Sequence, residues 1–384
     1  MGAVHPIAKA WLTTGGTGAQ NYDEFADEAE ITRIIAANPR SALAVEMPHR
    51  APASVGSSFT AALPAAAERL AEAKAAGAYR PAEQVVVAYR ITDPDRRRVA
   101  YGMFGMVDTD QISGGPGEPG LVIRNEDVFI EKVRERVALA ETTGHLLSPV
   151  LLLRDEPALH AALADACQGE PAATDVDQAG RRHEIWPVPT GPVADRLCAL
   201  AGGGELVVAD GNHRSLAAQV GGLPRFLAVV TTPESVTIEP YHRLVTELPA
   251  GSAGLRIDGG RTEPIEWRDA LPPRGTVYLY TRGQARAVRL PGGGLDHELV
   301  ERLLVRDALG LDPGDKRIVY VGGDYPLSWL RGEVDAGRAE LAIAIAPVSV
   351  EDFLAVNLAR EKMPRKSTWF TPKARAGLVL AELG

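Results

Sequence analysis

Cysteine is scarce in this chain. Its 384 residues hold two, Cys167 and Cys198, and neither belongs to a C-x-x-C pair. No disulfide framework and no cysteine zinc site is expected, and both thiols read as isolated and reduced. Aromatic residues make up 5% of the chain, while alanine is abundant, which suits packed helices with small side chains. No apolar run approaches the roughly 18 residues of a membrane span. The opening stretch MGAVHPIAKAWLTTGG lacks the apolar core of a signal peptide. The expectation is a cytoplasmic protein without a membrane partner. Positive charge is also in deficit, with a formal net charge of −9. That argues against a general nucleic-acid scaffold and leaves only a local basic groove open. No G-x-x-x-x-G-K-S/T occurs, so this is not a P-loop protein. Gly202-Gly203-Gly204 precedes a strand instead of following one, so it is no dinucleotide fingerprint. There is no G-x-S-x-G either.

What is present reads as an ordinary globular chain, 45% hydrophobic and 24% charged, of two or three domains. Asp23 to Ala37 has helical spacing through Phe25, Ile31, Ile34 and Ile35 and stops at Asn38-Pro39. The residues before it read as irregular. Ser41 to Met47 reads as a strand, and Ser58 to Ala76 as an alanine-rich helix starting near Pro64 and closed by Gly77. Gln84 to Ile91 and Arg98 to Val107 read as paired strands around Asp93-Pro94-Asp95. Gln111 to Gly120 is a Gly/Pro loop, either a plain connector or a segment able to close over a site. Val128 to Glu141, Ala158 to Cys167 and Val193 to Ala201 read as helices. Ser148 to Leu153 and His183 to Val188 read as strands, with a polar loop over residues 169–180. Leu223 to Val230 and Leu244 to Leu248 look extended, and residues 249–295 look β-rich. Leu299 to Leu309 and Val350 to Arg360 read as helices, Arg317 to Val321 and Leu341 to Ile345 as strands. Strands and helices mix without strict alternation, so the expected class is α+β.

The stretch Glu205 to Ala218 organises the chemistry. An apolar run suited to a buried strand breaks at Asp210-Gly211-Asn212 and becomes a helix former. Such a turn aims backbone N–H groups and the positive end of the helix dipole at one spot, which attracts anions. His213 and Arg214 sit in the first turn, and Arg214 offers a planar fork for phosphate. Asp210 can hold a metal or take a proton. The plainer alternative, an ordinary capped turn with His and Arg on the surface, stands beside this reading. Three further clusters can carry chemistry. Glu126, in Arg124-Asn125-Glu126, is either a general base or a helix N-terminal acid. His242-Arg243 is either part of a site or a solvated pair at a strand edge. Arg365, Lys366, Ser367, Thr368 and Lys373 form either a phosphate cradle or a basic segment docked by Trp369 and Phe370.

At these residues the sequence is familiar. The closing MPRKSTWFTPK resembles the MPPKST-aromatic-x-PK signature of the domain of unknown function numbered 1015. VVADGNHRSLAA resembles that family's ADGHHRYETA segment. The stretches NYDEF, NPRSALAV, RRHEIWPV and PYHRLV fall in matching order, so the resemblance covers nearly the whole chain. The DGHHR core is in turn similar to the motif of the ParB/sulfiredoxin superfamily, which binds nucleotide phosphates at that turn and includes kinases of free serine. The resemblance implies a ParB/sulfiredoxin-like core, a mixed sheet flanked by helices, over residues 1–248. Residues 249–384 then supply a β-rich insertion and a C-terminal α/β segment whose MPRKST motif closes the site. It implies that Gly211, Asn212, Arg214 and Ser215 hold phosphates, with His242, Arg243, Lys366, Ser367, Thr368 and Lys373. Asp210 is implied as metal ligand, and Glu126, Asp210 and His213 as catalytic residues, Glu126 being the base. Two positions depart from the family pattern: Asn212 and Asn125 stand where it has His.

The implied function is a phosphotransferase using ATP or another NTP with Mg²⁺ on a small hydroxylated metabolite, free serine or a related amino acid. A nucleotide-binding switch with slow hydrolysis is the alternative, and the two Asn substitutions lean that way. A phosphatase or lyase acting on a phosphorylated metabolite is a third. The expected partners are the nucleotide and the small substrate, with room for a homodimer and with nucleic acid disfavoured by the net charge.

Overall fold

The β-branched run Val85-Val86-Val87 is matched by an apolar stretch from Met103 to Val107. Together they make the strands Tyr79–Thr92 and Val99–Asp108, paired antiparallel with Val87 opposite Phe104. In the computed structural model, residues 2–25, 28–113, 115, 117–125, 130–249 and 257–384 are described. They fall into two compact units. The first runs to Val236 and includes Asn357–Lys362 and Pro372–Gly384; the second is Thr237–Val356 with Met363–Thr371. The expected division lay at residue 248. The closing motif is itself divided between the units after Thr371.

The first unit is built on a 13-stranded mixed sheet. Outward from Val99–Asp108 come Arg225–Thr231, Val150–Leu153 and Leu206–Asp210. The first of these is antiparallel to the hairpin and parallel to Val150–Leu153, and Leu206–Asp210 is antiparallel to Val150–Leu153. Val150 to Leu153 and Leu206 to Ala209 are buried throughout. Leu206 and Val208 pack with Leu159, Leu163 and Leu197 in one core, each such side chain contributing about 1.5–3 kcal/mol by leaving water. On the hairpin's other side lie Ile7–Thr13 and then the C-terminal strand Val379–Glu382. This brings the tail beside the N-terminal segment. Ala19 and Ala376 exchange backbone hydrogen bonds of 3.0 Å in both directions, and Thr17 Oγ1 donates to the Gly377 carbonyl at 2.7 Å.

In the second unit, a six-stranded sheet runs in the order Arg261–Pro264, Gln284–Arg289, Thr276–Thr281, Leu341–Ala344, Tyr241–Val245 and Ile318–Gly322. Thr237–Glu239 pairs separately with Trp369–Thr371. The helix Asp296–Leu299 continues as the π-helix Val300–Ala308 and buries Leu299, Val300, Leu304 and Val305 against Val277, Leu279 and Ile343.

The α+β mixture expected from the sequence is present, with local corrections. Ser41 to Met47 is no strand: Leu43–Glu46 is a short helix with all four residues buried, and a run buried on every side carries no period. The opening is not irregular, because Ile7–Thr13 is a strand within the sheet. The alanine-rich helix starts at Phe59, not near Pro64. Ser58 Oγ accepts the Ala61 N–H at 3.2 Å as its cap. The polar loop over 169–180 contains the strand Ala173–Val176, and the helix Leu327–Asp335 has no counterpart in the sequence reading. Among the described residues, no helix is long and apolar enough to cross a membrane.

Candidate functional site

The strand Leu206–Asp210 slips register against its neighbour between Val208 and Asp210. Such a slip interrupts the regular alternation of the strand just before Asp210. Gly211 follows with φ of 99°, and the helix Asn212–Val220 starts at once. A Cβ at Gly211 would sit 3.2 Å from Val150 Cα and 3.1 Å from Arg214 Nε. The turn therefore needs glycine for both its dihedral and its clearance. The first N–H groups of the helix lack intrahelical acceptors and carry the positive end of its dipole.

Three distant segments meet here. Arg214 Nη2 donates to Asp210 Oδ2 at 2.5 Å. Its Nη1 donates to Asn21 Oδ1 at 3.1 Å and to the Pro149 carbonyl. The guanidinium is thus committed to protein acceptors, and it fixes Asp210 to the strand start and to the N-terminal segment. Asn21 Nδ2 donates to Glu24 Oε1 at 2.8 Å and reaches Asp210 Oδ2 at 3.5 Å. Lys373 completes the group, with Nζ 3.6 Å from Asp210 Oδ1 and 3.8 Å from Glu24 Oε1. Two carboxylates and two cations balance. The Lys373 contacts are longer than the roughly 2.7–2.9 Å of a tight ionic hydrogen bond, whereas the Arg214 contact is short. Among the described residues, no three His, Cys, Asp or Glu side chains gather as a metal site. Asp210 and Glu24 still fit Mg²⁺, which takes one or two carboxylates and completes its shell from substrate phosphates and water.

The two departures from the family pattern touch each other. Asn212 Nδ2 donates to Asn125 Oδ1 at 2.5 Å, and both residues are buried. Asn212 Oδ1 is buried with no hydrogen-bond partner among the described residues. His213 is also buried. The Ser215 hydroxyl is fully buried and donates to the Asn212 carbonyl at 3.0 Å, so it braces the turn. Glu126 lies outside the described residues.

The remaining candidates belong to the second unit. His242 and Arg243 do not form a solvated pair. Their strand lies between two others, and each is 1% exposed. Arg243 donates to the Tyr241 carbonyl at 2.9 Å and the Arg365 carbonyl at 3.5 Å, and its guanidinium lies 4.2 Å from the centre of the Tyr320 ring. Burial, helped by the Arg243 charge, pushes the His242 imidazole down to about 3. Its Nδ1 accepts the Ile345 N–H at 3.2 Å. Lys366 Nζ donates to the Tyr241 hydroxyl at 3.2 Å, Ser367 donates to the Pro364 carbonyl at 2.6 Å, and Thr368 is half-buried.

Asn21 and Glu24 have no place in the sequence reading of the site. Their signal was the NYDEF stretch, one of the segments shared with the family. With these segments assembled, the comparison with known proteins is direct: the family of proteins of unknown function DUF1015 matches residues 17–254. The chain belongs to the DUF1015 family. No curated protein matches it. Among solved structures, a free serine kinase in complex with AMP is similar at 14% identity, covering 73% of this DUF1015 chain and 90% of that one, with a TM-score of 0.40. A conserved hypothetical protein from Pyrococcus furiosus gives 14% identity, 72% and 95% coverage, and a TM-score of 0.38. SbnI with a C-terminal truncation, from Staphylococcus aureus, gives 12%, 72%, 87% and 0.33.

Proposed function

We propose that the Asp210–Ser215 turn binds the phosphates of a nucleotide and that the protein transfers a phosphoryl group to a small hydroxylated metabolite, with free serine or a related amino acid as first candidates. In this reading the first unit contains a ParB/sulfiredoxin-like core, and the nucleotide is ATP or another NTP. One observation carries the proposal. Lys373 is held between two carboxylates, at 3.6 and 3.8 Å, in front of a glycine turn that opens a helix. An ammonium beside Asp210 at this turn adds a cation to the first-turn N–H groups, and together they supply donors to a phosphate.

The roles follow from the contacts. Lys373 and the backbone of Gly211 to His213 bind phosphate oxygens. Asp210 and Glu24 would hold Mg²⁺, which when bound neutralises phosphate charge. Arg214 acts through Asp210 as a positioning residue. Glu126 takes the proton of the substrate hydroxyl, whose oxygen forms the new bond to the terminal phosphorus as the bond to the nucleoside diphosphate breaks. Positioning and electrostatics supply most of the rate in such a transfer.

The Asn125–Asn212 contact favours a second reading, a nucleotide-dependent switch with slow hydrolysis. Amides at these positions can donate to a phosphate but exchange no protons near neutral pH. The first experiment is a thermal-shift series with ATP, ADP, CTP and GTP, each with and without Mg²⁺, on the wild type and on Lys373→Met. Stabilisation by one nucleotide that vanishes in the variant supports the phosphate site. If no nucleotide shifts the melting temperature, the kinase and the switch fall together. Phosphoryl transfer to serine then separates the two, and wild-type turnover in Glu126→Ala would remove the base assignment.

A further inference from the structure

The first unit also contains a cavity of about 460 Å³, lined by apolar and charged side chains, that none of the motifs predicts. One wall is the helix Glu28–Ala37, with Glu30 and Arg33; the facing wall is Asp175 to Gln178 with His183 and Arg375. Its charged groups are fixed from behind. Asp175 Oδ2 accepts the Gly18 N–H at 2.7 Å. A Cβ on Gly18 would lie 2.6 Å from that same oxygen, so the close approach depends on glycine there. Asp177 Oδ2 lies 3.2 Å from His183 Nε2 and 3.0 Å from Arg375 Nη2, while Asp177 Oδ1 accepts the Arg181 N–H at 2.8 Å. His183 Nδ1 in turn meets the Tyr89 hydroxyl at 2.6 Å. Burial holds the His183 imidazole below its ordinary value. Despite burial, the His183 and Arg375 contacts keep the Asp177 carboxyl below its own.

Arg375 is therefore oriented by a single contact from one side-chain nitrogen. Among the described residues, the rest of its guanidinium has no other side-chain partner. A half-buried carboxylate, Asp175, lies on the same wall, and Glu30 faces it from the helix. The lining thus offers a forked cation and separate carboxylates in a space of ligand size. A purely anionic ligand would meet Glu30, Asp175 and Asp177, and a purely cationic one would meet Arg33 and Arg375. A molecule bearing both signs satisfies both walls.

We propose that this cavity binds a small zwitterionic metabolite of the amino-acid class, its carboxylate on Arg375 and its ammonium group on Asp175 and Glu30. Binding here requires nothing of the nucleotide turn, so it is measured on the full chain without nucleotide. The probes are the standard free amino acids, each paired with its decarboxylated amine and its deaminated acid, read by thermal shift and calorimetry. The expected result is that at least one amino acid binds and that both truncated analogues lose most of the affinity. Arg375→Met should weaken binding by about tenfold or more. Because that change also removes one of the partners of Asp177, Glu30→Gln on the helix wall is the second variant, and it should weaken binding with an unchanged melting temperature. The proposal is overturned if no amino acid binds, if the amine or acid alone binds equally well, or if a ligand's affinity survives both substitutions. A failure of nucleotide binding leaves it standing.

Discussion

His213-Arg214 and His242-Arg243 are the same dipeptide in two settings, and the contrast separates a positioned charge from a buried brace. Arg214 opens a helix and holds Asp210 at 2.5 Å. Asp210 keeps 18% of its side chain exposed and faces Lys373, itself 13% exposed. The group therefore keeps partial contact with solvent. Arg243 sits in a strand with neighbours on both sides, and its contacts end in carbonyl groups, the Tyr320 ring and Glu301 at 3.9 Å. The Arg243 side chain itself is 1% exposed, against 7% for Arg214. A basic pair in a sequence is therefore neutral evidence: what its partners face decides whether the charge serves chemistry or packing.

The strongest way to break this contrast is to remove both guanidinium groups in turn. Arg243→Met should destabilise the protein by about 3–5 kcal/mol, because it strips a buried partner from several acceptors at once. Arg214→Met should cost less stability and abolish nucleotide-induced stabilisation. Urea unfolding with and without nucleotide measures both. Equal stability losses, with nucleotide response intact in Arg214→Met, would dissolve the distinction. Next in size is Gly211→Ala. The left-handed dihedral and the 3.2 Å approach to Val150 predict a cost of about 1–3 kcal/mol. A variant as stable as wild type would mean that the turn relaxes freely and is not preorganised.

Acid sharpens the comparison from the other unit. His242 is held at about 3 when folded, against about 6.5 for an unperturbed imidazole. Between these values the folded state binds fewer protons than the unfolded one. Its stabilising contribution is full above the unfolded value and is lost as pH falls through the window toward about 3. One such group gives a slope of at most about 1.4 kcal/mol per pH unit. His183 and His297 are shifted in the same direction, so the informative quantity is a difference. His242→Asn keeps an acceptor for the Ile345 N–H and removes the titration. Its melting temperature should fall less steeply than wild type between neutral and mildly acid pH, and parallel curves would mean that His242 is not the group responsible.

Much of the turn was legible because its information is local. An apolar run, Asp-Gly-Asn and a helix-forming stretch specify strand, break and helix within a dozen positions, and each falls where the sequence places it. Lys373 was legible through its motif. Asn21 and Glu24 were not, because Asn21 meets Asp210 across 189 positions and no periodicity reports a contact at that separation. The misreading of Leu43–Glu46 has a similar cause. Four consecutive buried residues show neither the period of a helix nor that of a strand, and Glu46 within them is held by a hydrogen bond from Ser148. Arg243 was misjudged because charge suggests solvent, while its acceptors are backbone carbonyls of its own strand and of the distant Arg365.

The smallest effect is expected at Asn125 and Asn212, where this chain departs from its family. The two amides are buried and joined by one hydrogen bond. Removing either leaves the other unsatisfied, so Asn125→Ala and Asn212→Ala should each cost about 1–2 kcal/mol. The double variant should cost less than their sum, since the second change removes a group already orphaned. Strict additivity would show that the contact carries no energy. The same positions give the functional arm of the test. If the paired amides are what slows catalysis, Asn125→His with Asn212→His should raise nucleotide turnover while each single change does not, because one imidazole facing one amide restores the shape of neither pair. Turnover unaffected by the double change would place the control of rate elsewhere in the site and weaken the switch reading.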